Sequence, residues 1–418
     1  MLDIAALLLV GASLAGWVNE RFLHLPLTVG LVLFGLLSSA ALAFLEAIFP
    51  GEVLFEAAVR SLLRLDFSRL VFEGFLAFLL FAGALDADVP SFRRNAGRVL
   101  YLAVPGTVLS TLIIGFAFYA IMNAMAVPMS LPWALVFGAL ISPTDPIAVL
   151  AALKDVDLDE RARTVSKAES LSNDGVGIVL FTFLLGMASG SETFNLGSAA
   201  RDLVREAGGG VLLGLATGYL AYRATRAIDN FGIEVMITLA LVTGTYALAD
   251  RLGFSGPLAT VAAGLLIGHR AHKDAMSDRT QHYVSALWKI IDEVLNAVLF
   301  LLIGLEVLIV EPSPAHWIAA LVAIPIALVA RGAAVWLPVV LPLGSAFEAR
   351  YAAFLTWAGV RGGISVALAL SLPDSSMRAT ILAATYGVVI FTLTVQMLTL
   401  QPLSRRLGLV TSRRKDGG

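Results

Sequence analysis

About thirteen apolar runs, each close to 20 residues long, divide this chain, and that repetition constrains its fold more than any other feature. A helix of that length crosses the hydrocarbon of a bilayer, where only helices and closed barrels satisfy every backbone donor and acceptor. The runs fall at 2–18, 25–45, 70–88, 98–121, 131–153, 165–188, 206–224, 232–249, 253–268, 283–309, 316–340, 351–372 and 377–400, with the seventh and ninth the shortest. The expected fold class is all-α: a polytopic membrane protein of about thirteen transmembrane helices forming a single membrane domain over 1–418. Composition agrees, since 58% of the residues are hydrophobic and only 14% charged, against about a quarter charged in a soluble domain. A formal net charge of -2 gives no indication of a nucleic-acid partner, and the absence of cysteine excludes disulfides and thiolate metal sites. The first run has no basic segment before it and reads as a span, not a cleaved signal. The 46–69 connection, with Glu46, Glu52, Glu56, Arg60, Arg64, Asp66 and Arg69 among apolar residues, reads as an amphipathic helix along the interface.

Lys and Arg concentrate in the connections after odd-numbered spans and in the tail, as with Arg93, Arg94, Lys154, Arg161, Arg163, Arg270 and Lys273. The positive-inside bias then places the N-terminus outside and the C-terminus in the cytoplasm of a cell (inner) membrane. The tail, 403–418, is a short basic stub with Arg405, Arg406, Arg413, Arg414 and Lys415.

Two consecutive spans carry carboxylates well inside apolar flanks. Span five contains Ser142-Pro143-Thr144-Asp145-Pro146, and span six opens with Glu169-Ser170-Leu171-Ser172-Asn173-Asp174-Gly175. A carboxylate at bilayer depth is costly unless paired, hydrated or protonated, which makes it a functional candidate. Two prolines within four residues remove helical donors, so the helix should break near Thr144 and Asp145. Broken backbone is tolerated at that depth only inside protein or beside water, and its freed carbonyls and helix ends can bind ions. A proline kink ending on a loop Asp would also account for Asp145 alone; Asp174 in the next span makes a buried ion site the better reading. A second break is expected at Thr356 to Ser365, T-W-A-G-V-R-G-G-I-S, where three glycines surround Arg361. The breaks lie in spans five and twelve. An odd offset reverses orientation, the pattern of an inverted-repeat transporter; small-residue helix packing is the plainer alternative.

These residues also carry a family resemblance. P-T-D-P at 143–146, E-S-L-S-N-D-G at 169–175, L-N-A-V-L-F-L-L-I-G-L-E at 295–306 and V-R-G-G-I-S-V-A-L-A-L-S-L-P at 360–373 resemble the NhaP-type sodium/proton antiporters, relatives of the animal sodium/proton exchangers. The resemblance implies an ion transporter, not an enzyme, working as a homodimer in the lipid bilayer with no cofactor beyond the transported Na⁺ (or Li⁺ or K⁺) and H⁺. It implies that Asp174 is the essential carrier of cation and proton, that Asp145 and Thr144 are broken-helix contacts, and that Ser170 supplies a hydroxyl ligand. Na⁺ would then be held at Asp174, Asp145 and Ser170, with Asn173 where an electrogenic branch has a second Asp. Glu169 matches a glutamate paired with an arginine, here Arg331, and Arg361 is read as stabilising the broken helix. Core helices at about 98–188 and 316–400 would move, elevator-like, against dimerisation helices at about 2–88 and 206–309. One departure stands out. Many members carry a glutamate in span three that reaches the cation site, and the matching stretch, Leu79 to Leu85, has Ala82 there.

Helical geometry is compatible with these roles. Ser170 and Asp174 lie about 40° apart on one face, while Glu169 and Asp174 diverge by about 140°. Oxygen ligands without Cys or His suit a hard alkali cation. The expected mechanism is competition at one carboxylate: burial disfavours the ionised form of Asp174, and bound Na⁺ favours it. With Asn173 neutral, one Na⁺ exchanges for one H⁺ and the cycle is electroneutral. A K⁺/H⁺ antiporter of the same fold is the nearer alternative. An intramembrane aspartyl protease would also use two membrane aspartates, but its G-x-G-D signature is absent and it would not need the broken helices.

Overall fold

The computed structural model describes residues 2–48, 70–87, 90, 94–153, 156–190, 196–271, 276–309, 313–341 and 348–411. Most of the 46–69 connection and the tail's Arg413, Arg414 and Lys415 lie outside them. The described chain is helical almost throughout: α1 Leu2–Val18, α2 Leu27–Ile48, α3 Leu76–Leu85, α4 Ala96–Tyr101, α5 Thr107–Ala124, α6 Leu131–Ile141, α7 Pro146–Ala152, α8 Glu160–Ala188 and α9 Leu196–Arg226. There follow α10 Phe231–Leu252, α11 Gly256–Leu266, α12 Asp278–Leu305, α13 Pro314–Val340, α14 Ala349–Trp357, α15 Gly363–Leu370, α16 Arg378–Phe391 and α17 Met397–Arg406. Among the described residues, seven helical stretches are long and apolar enough to cross a membrane. The expected all-α polytopic class is therefore what the chain adopts.

Several boundaries differ from the sequence reading. The seventh run, expected to be short, becomes the 31-residue α9, because Arg201, Arg205 and Glu206 interrupt the hydropathy but not the helix. The charged stretch before span six is partly helical. Asp159 accepts hydrogen bonds from the backbone N–H of Arg161 and Ala162, 3.0 and 3.1 Å, and so caps α8 at Glu160. The tail is helical through Arg406, and after a turn Val410–Thr411 (β2) forms a two-residue antiparallel ladder on Asp157–Leu158 (β1).

The chain divides into two compact units, one of residues 1–71, 110–162 and 296–418, the other of 72–109 and 163–295. In the second, Gly210, Gly214 and Gly218 recur every fourth residue on α9 and lie against Ser255, Ala259 and Ala263. A methyl group on Gly214 would overlap the Ala259 carbonyl oxygen, so this seam is close backbone packing of the small-residue kind. Gly264 approaches Phe81 and Ala84 of α3. Around them Phe81, Ala82, Leu85, Tyr222, Val242 and Trp288 form an apolar cluster, with Trp288 Nε1 donating to Thr238 Oγ1 at 3.0 Å. Ala82 is a buried member of that cluster, while the neighbouring Gly83 faces Leu171 of α8. One residue of helix turns a side chain by about 100°, so positions 82 and 83 meet different neighbours. In the first unit, Gly35 of α2 and Gly304 of α12 meet backbone to backbone, and Gly387 of α16 rests on Ala320 of α13.

Candidate ion site at two broken helices

Both expected breaks are present. After α6 ends at Ile141, residues 142–145 leave the helix and α7 starts at Pro146. Proline at a first helical position lacks a donor that would have no partner anyway. After α14 ends at Trp357, residues 358–362 run without regular structure to α15.

The two breaks cross within the first unit and supply each other's missing hydrogen bonds. The Asp145 backbone N–H donates to the Val360 carbonyl at 2.7 Å. The Arg361 guanidinium, 1% exposed, donates through Nη1 to the Ser142 and Pro143 carbonyls, the latter at 2.7 Å. A cation therefore stands at the carbonyl end of α6, where the helix dipole is negative. Asp145, half-buried, accepts from the Ala148 backbone N–H at 3.2 Å and so stands at the positive N-terminus of α7. Gly362 lies against this carboxylate, and a Cβ there would overlap Oδ2. That close approach explains one glycine of the V-R-G-G motif; a second, Gly363, faces Leu299 of the L-N-A-V-L-F run. Thr144 is buried.

Surrounding side chains fix this crossing. Ser142 Oγ donates to Gly138 O at 2.7 Å and accepts from Thr111 Oγ1 of α5 at 3.1 Å. Arg331 of α13, buried, donates from Nε to the Leu355 carbonyl at 3.1 Å in the last turn of α14. Thr392, on a π-helical turn (Thr392–Gln396) between α16 and α17, accepts from the Arg361 backbone N–H at 3.1 Å. Thr111, Thr392 and Gln396 were not picked out by sequence, because a lone hydroxyl or amide in an apolar run has no spacing signature; Ser142 stood in the S-P-T-D-P motif without a role of its own.

In the second unit, Glu169, Ser170, Asn173 and Asp174 all lie on α8 and are at most 5% exposed. The helix runs unbroken past them, so carboxylate, amide and hydroxyl are placed by helical phase alone. Gly175 lies against Leu258 of α11, which packs this stretch closely. Lys167, nearer the start of α8, donates to Asp86 Oδ2 at 2.8 Å.

Helices that cross a membrane, two that break at buried carbonyls with an aspartate and an arginine at the breaks, and a further aspartate inside a continuous helix define an ion-handling membrane protein of the broken-helix class. Comparison with known proteins makes the assignment specific. Residues 8–406 match the family model described as sodium/hydrogen exchanger, transmembrane. The Na⁺/H⁺ antiporter NhaP of Pseudomonas aeruginosa is 40% identical over 421 residues, covering 97% of each chain. The Na⁺/H⁺ antiporter NhaH of Halobacillus dabanensis is 34% identical, over 97% of this chain and 98% of its own. The solved sodium proton antiporter of Methanocaldococcus jannaschii superposes with a TM-score of 0.77 over 97% of this chain and 98% of its own, at 22% identity, a likeness of fold. The chain belongs to the sodium/hydrogen exchanger family.

Proposed function

We propose that this protein is a secondary transporter that exchanges Na⁺ for H⁺ across a cell membrane. The observation that carries the reading is the crossing of the two breaks, in which Asp145 meets the α7 N-terminus and Arg361 the α6 carbonyls, in a chain whose relatives are named Na⁺/H⁺ antiporters. Asp174 carries either a proton or the cation; Ser170, Thr144 and Asp145 add oxygen ligands, and Asn173 contributes a neutral amide. Because an empty buried carboxylate is costly to move, the site crosses loaded with one or the other. One titrating carboxylate beside a neutral Asn173 makes the exchange one for one and electroneutral, with Li⁺ able to replace Na⁺. Glu169 pairs with Arg331 as a structural ion pair.

The wider architecture follows the same reading: about thirteen spans arranged as an inverted repeat, N-terminus outside and C-terminus cytoplasmic. Core helices at about 98–188 and 316–400 move elevator-like against a dimerising scaffold at 2–88 and 206–309. The test is dissipation of a preset pH gradient in proteoliposomes on adding Na⁺, Li⁺ or K⁺. Dissipation by Na⁺ that is indifferent to an imposed membrane potential is expected. A response to K⁺ alone would assign the protein as a K⁺/H⁺ antiporter, and uptake following the sign of the potential would refute the one-for-one stoichiometry.

A further inference from the structure

Beside the second break lies a cavity just large enough for about one water molecule. Its polar lining comes from Arg331, Thr356, Gly359, Arg361, Thr392 and Gln396. Gln396 is fully buried, and neither its amide nitrogen nor its amide oxygen has a hydrogen-bond partner in the protein. A primary amide offers two donors and two acceptor sites, and leaving all of them unmet in a membrane interior is strongly unfavourable. Thr356 Oγ1 spends its proton on the Ala352 carbonyl at 2.8 Å and keeps acceptor capacity. The residue opposite, Gly359, has no side chain; a Cβ there would lie 2.9 Å from Arg331 Nε.

The backbone geometry brings these groups together. Between α16 and α17 the chain makes one π-helical turn, Thr392–Gln396. Such turns interrupt the regular hydrogen-bond ladder and recur at functional sites. Here the turn presents Thr392 and Gln396, four residues apart, to the second break. The Thr392 hydroxyl accepts from the Arg361 N–H at 3.1 Å and has the Val389 and Arg361 carbonyls at 3.0 and 3.3 Å for its own proton.

We propose that the cavity is a binding site for one ordered water, held by the Gln396 amide and the Thr356 hydroxyl, and that Gln396 and Thr392 are positioning residues for the broken helix. The water satisfies an end of the Gln396 amide and ties the π turn to the break. Thr392 fixes the backbone of Arg361, whose guanidinium in turn holds the carbonyls next to Asp145. The two residues thus act on the ion site through Arg361, without touching the ion.

The test has two arms that need no transport, and a third that rests on the exchange reading above. In cryo-EM of the full chain in nanodiscs, at a resolution where other buried waters are visible, a discrete water peak is expected within hydrogen-bond distance of the Gln396 amide, and it should be gone in Gln396→Leu. An amide bonded directly to protein atoms, with no such peak, would overturn the water site. By hydrogen–deuterium exchange, Thr392→Val should speed exchange of the 358–362 backbone on the order of fivefold, the effect of one lost hydrogen bond. Thr392→Ser, which keeps the hydroxyl, should restore protection; equal protection in both variants would overturn the positioning role. In proteoliposomes, Thr392→Val and Gln396→Leu should raise the half-saturating Na⁺ concentration, whereas a purely structural defect lowers only the maximal rate. Unchanged half-saturation in both sinks the link to the ion site. A wild type that exchanges no Na⁺ at all would instead refute the transport reading and leave the first two arms to decide this one.

Discussion

Replacing Arg361 tests the crossing most directly. Its guanidinium is 1% exposed and donates to two carbonyls, of Ser142 and Pro143, that the α6 break would otherwise leave without partners. Hydrogen bonds from a charged donor contribute about 1.5–3 kcal/mol each, and a buried acceptor left unmet costs about 1–3 kcal/mol. The favourable placement of a cation at a helix C-terminus adds up to about 2 kcal/mol. These contributions overlap, so Arg361→Met, of similar length but uncharged, should lose on the order of 3–5 kcal/mol, comparable to breaking a buried ion pair. That is a large share of the roughly 5–15 kcal/mol that holds a typical domain together. Arg361→Lys keeps the charge but replaces a planar fork with a single ammonium, so it should recover about half of the loss. Chemical unfolding in detergent, followed by tryptophan fluorescence, measures both. If Arg361→Met unfolds within about 1 kcal/mol of the wild type, or if Lys and Met are equivalent, the guanidinium does not hold the two breaks together and the argument fails.

Asp174→Asn should abolish Na⁺-driven dissipation of a pH gradient while gel filtration still shows a folded protein, because an amide neither titrates nor balances a cation; exchange at the wild-type rate would remove Asp174 from the site. Glu169→Gln and Arg331→Ala should each destabilise by about 3–5 kcal/mol, and the double variant should recover part of the sum. Strictly additive losses in thermal melts would mean that the two side chains do not interact. Ala82→Glu should lower thermal stability by several kcal/mol, since it drives a carboxylate into the cluster around Phe81 and Trp288. A folded variant of normal stability with tightened Na⁺ affinity would instead put position 82 at the ion site.

The two breaks were legible because proline and glycine act locally: Pro143 and Pro146 remove donors, and G-V-R-G-G cannot sustain a helix, whatever surrounds them. The carboxylates were legible because charge in an apolar run is costly wherever the run ends up. What the breaks do to each other was not. The bond from Arg361 to Ser142 and Pro143 joins residues more than two hundred positions apart, and no local periodicity carries that information. The π turn at Thr392–Gln396 sits in the run 377–400, whose composition is that of an ordinary span. The surroundings of Ala82 were not legible for a related reason: an alignment of motifs gives the helix but not its rotation, and rotation is set by neighbours such as Trp288 on a distant segment. The 31-residue α9 shows the converse, a helix that hydropathy undercounts because charged residues do not stop helical backbone.

The small ladder of β2 on β1 ties the segment after α17 to the loop before α8. Thr411 pairs with Asp157, Val410 with Leu158, and the Asp159 N–H donates to the Leu409 carbonyl at 2.8 Å. Asp159 then caps α8 and also accepts from the Tyr351 hydroxyl at 3.1 Å. The segment after α17 therefore works as a clasp on the loop that launches the aspartate-bearing helix. A chain whose residues 409–411 have not yet left the ribosome cannot have closed it, so the loop at 157–159 acquires these partners long after α8 itself has been made.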